Sequence, residues 1–389
     1  MDRKPRRVLI FSLVYYPRTI GGAEVAVKEI TDRIDSSEVE FDMITLRKNA
    51  PAFERIGNVN VYRVGFPWFG TNTKSSTIFP LSKIVYIPLA GLKALSLHRK
   101  KKYDLTWPIM ASYGGFAALI FMTFFPKVPM FLTIQEGDNF ERRTGVLGIF
   151  FRAILKSADR IQAISTFLAD WSRDMGATCP ITVVPNGVDA SVFSARISDG
   201  EASELKEKLG KKDGDIFLVT TSRLVPKNGI ADIIDSLEFL PNNVKFLIIG
   251  SGQLEASLKS TVDSQKLGDR VMFAGFMQHA QMAKYVQISD IFIRPSLSEG
   301  LGNSFLEAMA AEIPVIATPV GGIPDFLVDG ETGLFCDVNN PQSIAQKVEK
   351  LMKDRESRDY MVRNAKKMVE EKYGWEGIAK GMKGLMLEA

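Results

Sequence analysis

The segment DIFIRPSLSEGLGNSFLEAMAAEIPVIAT, Asp290–Thr318, decides how the chain folds. DIFIRPS (290–296) is an apolar, β-branched run cut off at a proline, as a buried strand requires. SFLEAMAAE sets Phe305, Leu306, Met309 and Ala310 at helical spacing, and IPVIAT (313–318) reads as a second strand. Strand, helix and strand in close succession make a crossover unit, so the two strands run parallel. The glycine-rich turn EGLGN lies between the first strand and the helix, with Asn303 or Ser304 expected as N-cap.

The same alternation extends back through the chain. In the first half, strands are expected at 8–13, 41–46, 59–64, 104–110, 129–134, 159–165 and 181–186; in the second half, ahead of this segment, at 215–222, 244–250 and 271–275. Strand-like content vanishes in DASVFSARISDGEASELKEKLGKKDGD, which places a boundary near Ser198. The chain of 389 residues exceeds what one core serves, so two domains are expected. Two tandem doubly wound α/β domains bring the carboxyl ends of their sheets to a cleft, where ligands bind in such folds.

Composition excludes several classes. Hydrophobic content of 46% and charged content of 24% are ordinary for a globular protein. Cys179 and Cys336 are the two cysteines, far apart and without metal-ligand spacing, so neither a disulfide framework nor a metal site is expected and a cytoplasmic setting is. The uncharged run Ile109–Phe125 is interrupted by Gly114 and Gly115, which favours a strand, a turn and a core helix over a membrane span. Residues 1–190 carry 25 Lys and Arg against 17 Asp and Glu, a net +8; the remainder carries 24 against 28, a net −4. A basic half joined to an acidic one points to an anionic partner for the first. The segment 66–104 mixes aromatics, aliphatics and lysines and ends in HRKKK, a pattern suited either to an anionic membrane surface or to a core helix with a solvated end.

Several groups carry chemistry. Backbone N–H groups at the start of the helix after EGLGN, reinforced by its dipole, suit a phosphate. Glu307, about one turn in, would repel a phosphate and suits paired hydroxyls such as those of a ribose; alone, the dipole and solvent explain Glu307 and Glu299 equally well. TTSRLVPKNG (220–229) presents Arg223 and Lys227 at a strand end, where a fork and a point charge could grip a diphosphate. LIIGSGQLEASL (247–258) has a GxG turn at Gly250–Gly252, explained nearly as well by helix packing. YYPRTIGGAE has Gly21 and Gly22, which allow close backbone approach to a ligand.

Taken together, GGAE, PNGVD (185–189), SRLVPKNG, GSG, SEGLGNSFLEAMA, PVIATPVGGIPD (314–325) and DGETGLF (329–335) resemble, in this order and spacing, the retaining GT-B glycosyltransferases of family 4. The resemblance runs from about Val8 to the C-terminus and is most specific where Glu299 and Glu307 match E-x7-E. It implies a GT-B architecture with two Rossmann-like domains, 1–198 for the acceptor and 199–372 for the donor, and a helix over 373–389 crossing back to the first. It implies transfer of a sugar, with retention and without a metal or other cofactor, from a nucleotide-diphosphate sugar to a hydroxyl of a lipid-linked, glycan or small-molecule acceptor. Nucleic acid is not among the expected partners. Carried over by motif, Glu307 holds the ribose, the turn Gly300, Leu301, Gly302, Asn303 and Ser304 meets the diphosphate, Arg223 and Lys227 neutralise it, and Glu299 contacts the sugar. Gly22, Asn228 and Gly252 complete the donor side.

The pattern departs from the family at two functional positions. Asn228 stands where a lysine is usual, which leaves Lys227 as the lysine of that loop. FLTIQEGDNF offers Gln135 and Glu136, with Gly21, on the acceptor side, where many members have a histidine after the fifth strand. Two other readings stand beside transfer: a nucleotide-sugar epimerase, for which no suitable histidine is evident, and a non-catalytic binding module.

Overall fold

A computed structural model describes residues 4–17, 21–66, 78–137 and 145–389. The chain forms two compact units, Met1–Asn186 with Trp375–Ala389, and Gly187–Gly374.

The first unit contains a sheet of order β3, β4, β2, β1, β5, from β1 (Arg6–Phe11), β2 (Val39–Leu46), β3 (Phe53–Ile56), β4 (Val59–Val64) and β5 (Leu105–Pro108). Bridges from Thr106 to Met130 and from Ile109 to Thr133 continue it into β6 (Phe131–Ile134), β7 (Arg160–Ala163) and β8 (Ile181–Val183). Only β3 is antiparallel to its neighbour among these pairings. Connecting helices are α1 (Gly22–Asp32), α2 (Ile78–Lys101), α3 (Gly115–Phe124), α4 (Gly145–Ser157) and α5 (Thr166–Asp174). The serine before α5 shows the local logic: Ser165 Oγ accepts the Leu168 N–H at 3.3 Å and so caps an otherwise unpaired first-turn amide.

The second unit runs α6 (Ala190–Ser194), α7 (Asp199–Lys208), β9 (Ile216–Thr221), α8 (Ile230–Ser236), β10 (Val244–Ile249), α9 (Glu255–Ser264), β11 (Val271–Gly275), α10 (His279–Gln287), β12 (Ile291–Arg294), α11 (Asn303–Ala310), β13 (Val315–Ala317), β14 (Leu334–Phe335), α12 (Pro341–Lys353) and α13 (Arg355–Lys372). Its six strands are all parallel, in the order β11, β10, β9, β12, β13, β14. Strands covered on both faces read as continuous apolar runs, which is why they are visible in the sequence. Leu218, Phe246, Ile248, Ile291 and Ile293 share one buried cluster with Ile233 and Ile234 of α8 and Ile344 and Val348 of α12. The strand order reverses between β9 and β12, so the loops after these two strands part at the switch point of a doubly wound sheet.

The last helix, α14 (Trp375–Glu388), belongs to the first unit: Trp375, Ile378, Met382 and Met386 lie in the same buried cluster as Val8, Ile10 and Phe41 of the sheet and Val27 and Ile30 of α1. Its partner in sequence, Tyr373, stays with the second unit, where its carbonyl accepts the Val188 N–H at 2.9 Å.

The structure moves three expected boundaries. The second unit starts at Gly187 rather than near Ser198, because Phe193 of α6 is buried and α6 packs on α10 and α11. It ends at Gly374, two residues beyond the expected 372, where Gly374 bridges to Val188. The strand expected over 104–110 stops at Pro108, and Met110–Gly114 forms a π turn before α3. No helix among the described residues is long and apolar enough to cross a membrane.

Met382 is almost fully buried beneath the first unit's sheet. Met382→Ala is expected to cost roughly 2–5 kcal/mol through lost transfer energy and the cavity left behind. Chemical denaturation of the first unit checks this, and a loss below ~1 kcal/mol would show that α14 is not part of that core.

Candidate active site

Two loops meet where β9 and β12 end. The first leaves Thr221 through Arg223, makes a 3-10 turn over Pro226–Asn228 and enters α8. The second leaves Arg294 and reaches α11 through Ser296, Glu299 and Gly302. Their backbones are joined directly, since the Leu297 N–H donates to the Lys227 carbonyl at 2.7 Å. The second loop is also held from below: the Glu299 carbonyl accepts the Gly322 N–H at 3.1 Å, and Thr318 Oγ1 donates to the Ser296 carbonyl at 2.5 Å.

Gly302, rather than Asn303 or Ser304, is the N-cap of α11, at φ 97° and ψ 67°. A side chain is strained in that left-handed geometry, and a Cβ there would also lie 2.6 Å from the Phe305 ring. In the first turn of α11 the Phe305 N–H donates to the Gly302 carbonyl at 3.0 Å, which leaves the amides of Asn303 and Ser304 for an anion, and the helix dipole adds to their attraction. The Gly300 N–H is already engaged by Glu299 Oε1, at 3.1 Å.

Glu299 lies in a cluster of cations. Arg294 Nη2 donates to its Oε2 at 2.8 Å, and Lys227 Nζ stands 3.9 Å from its Oε1. Arg294 is buried at the end of β12, and its Nη1 donates to Ser304 Oγ at 2.6 Å. Burial depresses the guanidinium pKa; Glu299 and Glu307 counter that, and Arg223 adds to it. Arg223 itself is exposed at the rim.

Glu307 lies on α11 with 13% of its side chain exposed, and His279 Nε2 at the start of α10 is 3.7 Å from its Oε1. Burial pushes the Glu307 carboxyl above its ordinary pKa, while His279 and Arg294 pull it partly back. A carboxylate offers about four lone-pair sites, so both glutamates keep capacity to accept hydroxyl hydrogens.

Other expected residues take different places. Asn228 is buried and turned into its own loop, its Nδ2 donating to the Arg223 carbonyl at 2.7 Å. It shapes the loop that carries Arg223 and Lys227 instead of presenting an amide outward. Gly252 answers to packing, because a Cβ there would sit 2.3 Å from the Leu224 carbonyl oxygen. The Leu301 side chain is core, and the Ser304 hydroxyl faces Arg294. In the first unit Gly21 caps α1 and Gly22 opens it, with nothing within 4 Å of a Cβ at Gly22. Glu136 is buried, its Oε1 accepting the Ala111 N–H at 2.8 Å and its Oε2 the Gln135 N–H at 3.1 Å. That fastens β6 to the π turn, and Gln135 Oε1 in turn accepts from Asn186 Nδ2 at 3.3 Å.

Sequence reasoning gave no role to two residues of this site. Arg294 carried a signal, being a lone charge at the end of a strand of buried residues. His279 carried none, because its approach to Glu307 exists only once α10 and α11 are packed. No group of three or more His, Cys, Asp or Glu side chains is assembled for a metal among the described residues.

The chain is similar to known proteins in sequence and fold. The family described as Glycosyl transferases group 1 matches residues 201–368, and Glycosyltransferase Family 4 matches residues 20–192. The chain belongs to the group 1 glycosyltransferases of GT-B fold. An uncharacterized glycosyltransferase of Methanocaldococcus jannaschii is 27% identical over 399 residues, covering 96% of each chain. Among solved structures, sucrose-phosphate synthase from Thermosynechococcus elongatus superposes with a TM-score of 0.84 at 19% identity, covering 98% of each chain. The Anabaena protein HepE in complex with UDP-glucose gives 0.78 at 18% identity, covering 98% of this chain and 100% of that one. Family membership makes this glycosyltransferase an enzyme that moves a sugar from a nucleotide-sugar donor. Neither the epimerase reading nor the non-catalytic one is favoured by these matches.

Proposed function

We propose that this glycosyltransferase moves a hexose, with retention and without a bound metal, from a nucleoside-diphosphate donor held in the second unit. The observation that carries the reading is the single cluster in which Glu307, Glu299, Lys227 and the amides of the α11 turn stand at the switch point of the β9–β12 sheet. HepE, a structural relative, is known in complex with UDP-glucose, which supports a hexose on a nucleoside diphosphate.

In this reading Glu307 accepts the ribose hydroxyls and the α11 amides receive the diphosphate. Glu299 accepts a hydroxyl of the donor sugar. As the bond from the anomeric carbon to the phosphate oxygen breaks, negative charge grows on the diphosphate. Arg223, Lys227 and the preorganised amides stabilise that charge, which is where a metal-independent enzyme needs its cations. The acceptor oxygen bonds to the anomeric carbon on the face being vacated, and its proton passes to the departing phosphate oxygen.

On the first unit, Ile84 and Leu92 of α2, Phe124 of α3 and Ile149 and Phe150 of α4 are exposed, as are Arg99 and Lys100 of α2 and Arg152 of α4. Exposed apolar side chains and cations on these helices support peripheral contact with an anionic bilayer at the cytoplasmic face, from which a lipid-linked acceptor is reached. Residues 67–77 of the segment first read this way lie outside the described residues.

Glu307→Ala is expected to weaken UDP or GDP binding by roughly 1.5–3 kcal/mol, the range for hydrogen bonds to a charged group, or roughly ten- to a hundredfold. Calorimetry decides it, and unchanged affinity refutes the ribose role. The ionised carboxylate is the accepting form, so affinity is full above the Glu307 pKa and falls as pH drops through it. Because that pKa is raised, the fall begins at higher pH than for an ordinary carboxyl. His279→Ala removes a neighbour that pulls the pKa down, so its limb shifts further up in pH; a limb that does not move disproves the coupling. Turnover that persists in EDTA, with the equatorial anomeric proton of an α-linked donor found in the same configuration in the product, supports metal-free retention; loss with chelator or an inverted product overturns it. Co-sedimentation with phosphatidylglycerol vesicles, weakened by Leu92→Glu, tests the membrane contact, and equal recovery without vesicles rejects it.

A further inference from the structure

We propose that Arg294 is a positioning residue for sugar transfer, a single buried fork that sets the pose of Glu299 and of the turn facing the diphosphate. This rests on the donor reading above and adds to it a group that the motif comparison leaves unassigned.

The guanidinium reaches three points of the loop at once. Its Nε donates to Ser296 Oγ at 3.2 Å, near the loop's start. Nη2 donates to Glu299 Oε2 at 2.8 Å in the middle, and Nη1 to Ser304 Oγ at 2.6 Å in the first turn of α11. The guanidinium carbon lies over the Phe305 ring, 4.2 Å from its centroid, so the aromatic ring packs against the fork. Gly302 completes the seat, since a Cβ there would come within 2.9 Å of Nη2. The glycine therefore serves the arginine as well as the left-handed backbone.

A planar, rigid fork is suited to holding two sites in a fixed relation, which a lysine ammonium cannot do. Burying it is costly, as its depressed pKa shows, and packing alone would be served by an apolar side chain at lower cost. What the charge secures is orientation: Glu299 is held from one side by Arg294 and approached from another by Lys227, so its free lone pairs face a fixed direction. A lysine at this position keeps a positive charge near Glu299 and Glu307, and Glu307 and Arg223 remain to bind the donor, so loss of the fork is felt in the transition state, through the aim of Glu299, more than in binding.

The test uses the full chain and the probes UDP-glucose, UDP-N-acetylglucosamine and GDP-mannose, with nucleotide release as the readout and thermal unfolding as the check on folding. Arg294→Lys is expected to lower kcat by at least roughly tenfold, the scale of losing an oriented transition-state contact, with donor KM changed only a few-fold. Glu299→Gln and Arg294→Lys act through one contact, so the double variant should be little worse than the poorer single one. If Arg294→Lys does not fold, Ser296→Ala loosens the same fork and replaces it in the cycle. An unchanged kcat, a loss confined to KM, or fully additive effects would overturn the positioning role while leaving the donor reading intact. Absence of turnover and of nucleotide binding by the unaltered protein with every probe would overturn both.

Discussion

Parallel pairing of β9 with β12 is the constraint on which the site depends. Leu218 lies opposite Ile291 and Val219 opposite Phe292, so both strands end at the same edge of the sheet. Crossovers leave that edge in opposite directions on either side of the pair, and the loops part to leave a crevice. Two segments far apart in sequence thereby become neighbours, closed on each other by the hydrogen bond from Leu297 to Lys227. The apolar strands fix where the strand ends stand, and the loops then need only local chemistry to shape a site. Rigid strands beneath and short loops above are a good support for groups that must be aligned before reaction.

The second organising feature is charge under the turn. A guanidinium enclosed beside Phe305 is tolerable because Glu299 pairs with it and Glu307 lies near enough to favour its ionised form. The dependence runs both ways: Arg294 and His279 hold the buried Glu307 closer to its ionised form, the form that accepts hydroxyl hydrogens. Electrostatic balance and ligand chemistry are therefore one property of this loop, and removing a member leaves another charge poorly compensated.

Much of this was legible in one dimension. Continuous apolar runs gave away the buried parallel strands, and the turn between Glu299 and Glu307 announced a helix start with a possible anion site. The misses have common causes. β3, at Phe53–Ile56, is an edge strand whose residues are half exposed, so no buried face imprints a period on it. β14, at Leu334–Phe335, is too short to show one. At Gly252 a glycine that admits a phosphate and one that admits a neighbouring backbone are identical in sequence; the structure adds the packing requirement, through the Leu224 carbonyl. Asn228 is similar: its substitution for lysine was visible, whereas its inward turn to the Arg223 carbonyl was not.

The sequence by itself determined the alternation of strands and helices, the doubly wound class, the cluster of motifs that marks a glycosyltransferase and the carboxylates at either end of the turn. These rest on local propensity and on burial periodicity, both written in consecutive residues. Tertiary structure alone decided that Arg294 grips Ser296, Glu299 and Ser304 together, that His279 of α10 faces Glu307 of α11, and that the second unit begins at Gly187. Those outcomes depend on which elements pack against which, and the free energy that settles them comes from contacts between segments with no fixed spacing along the chain.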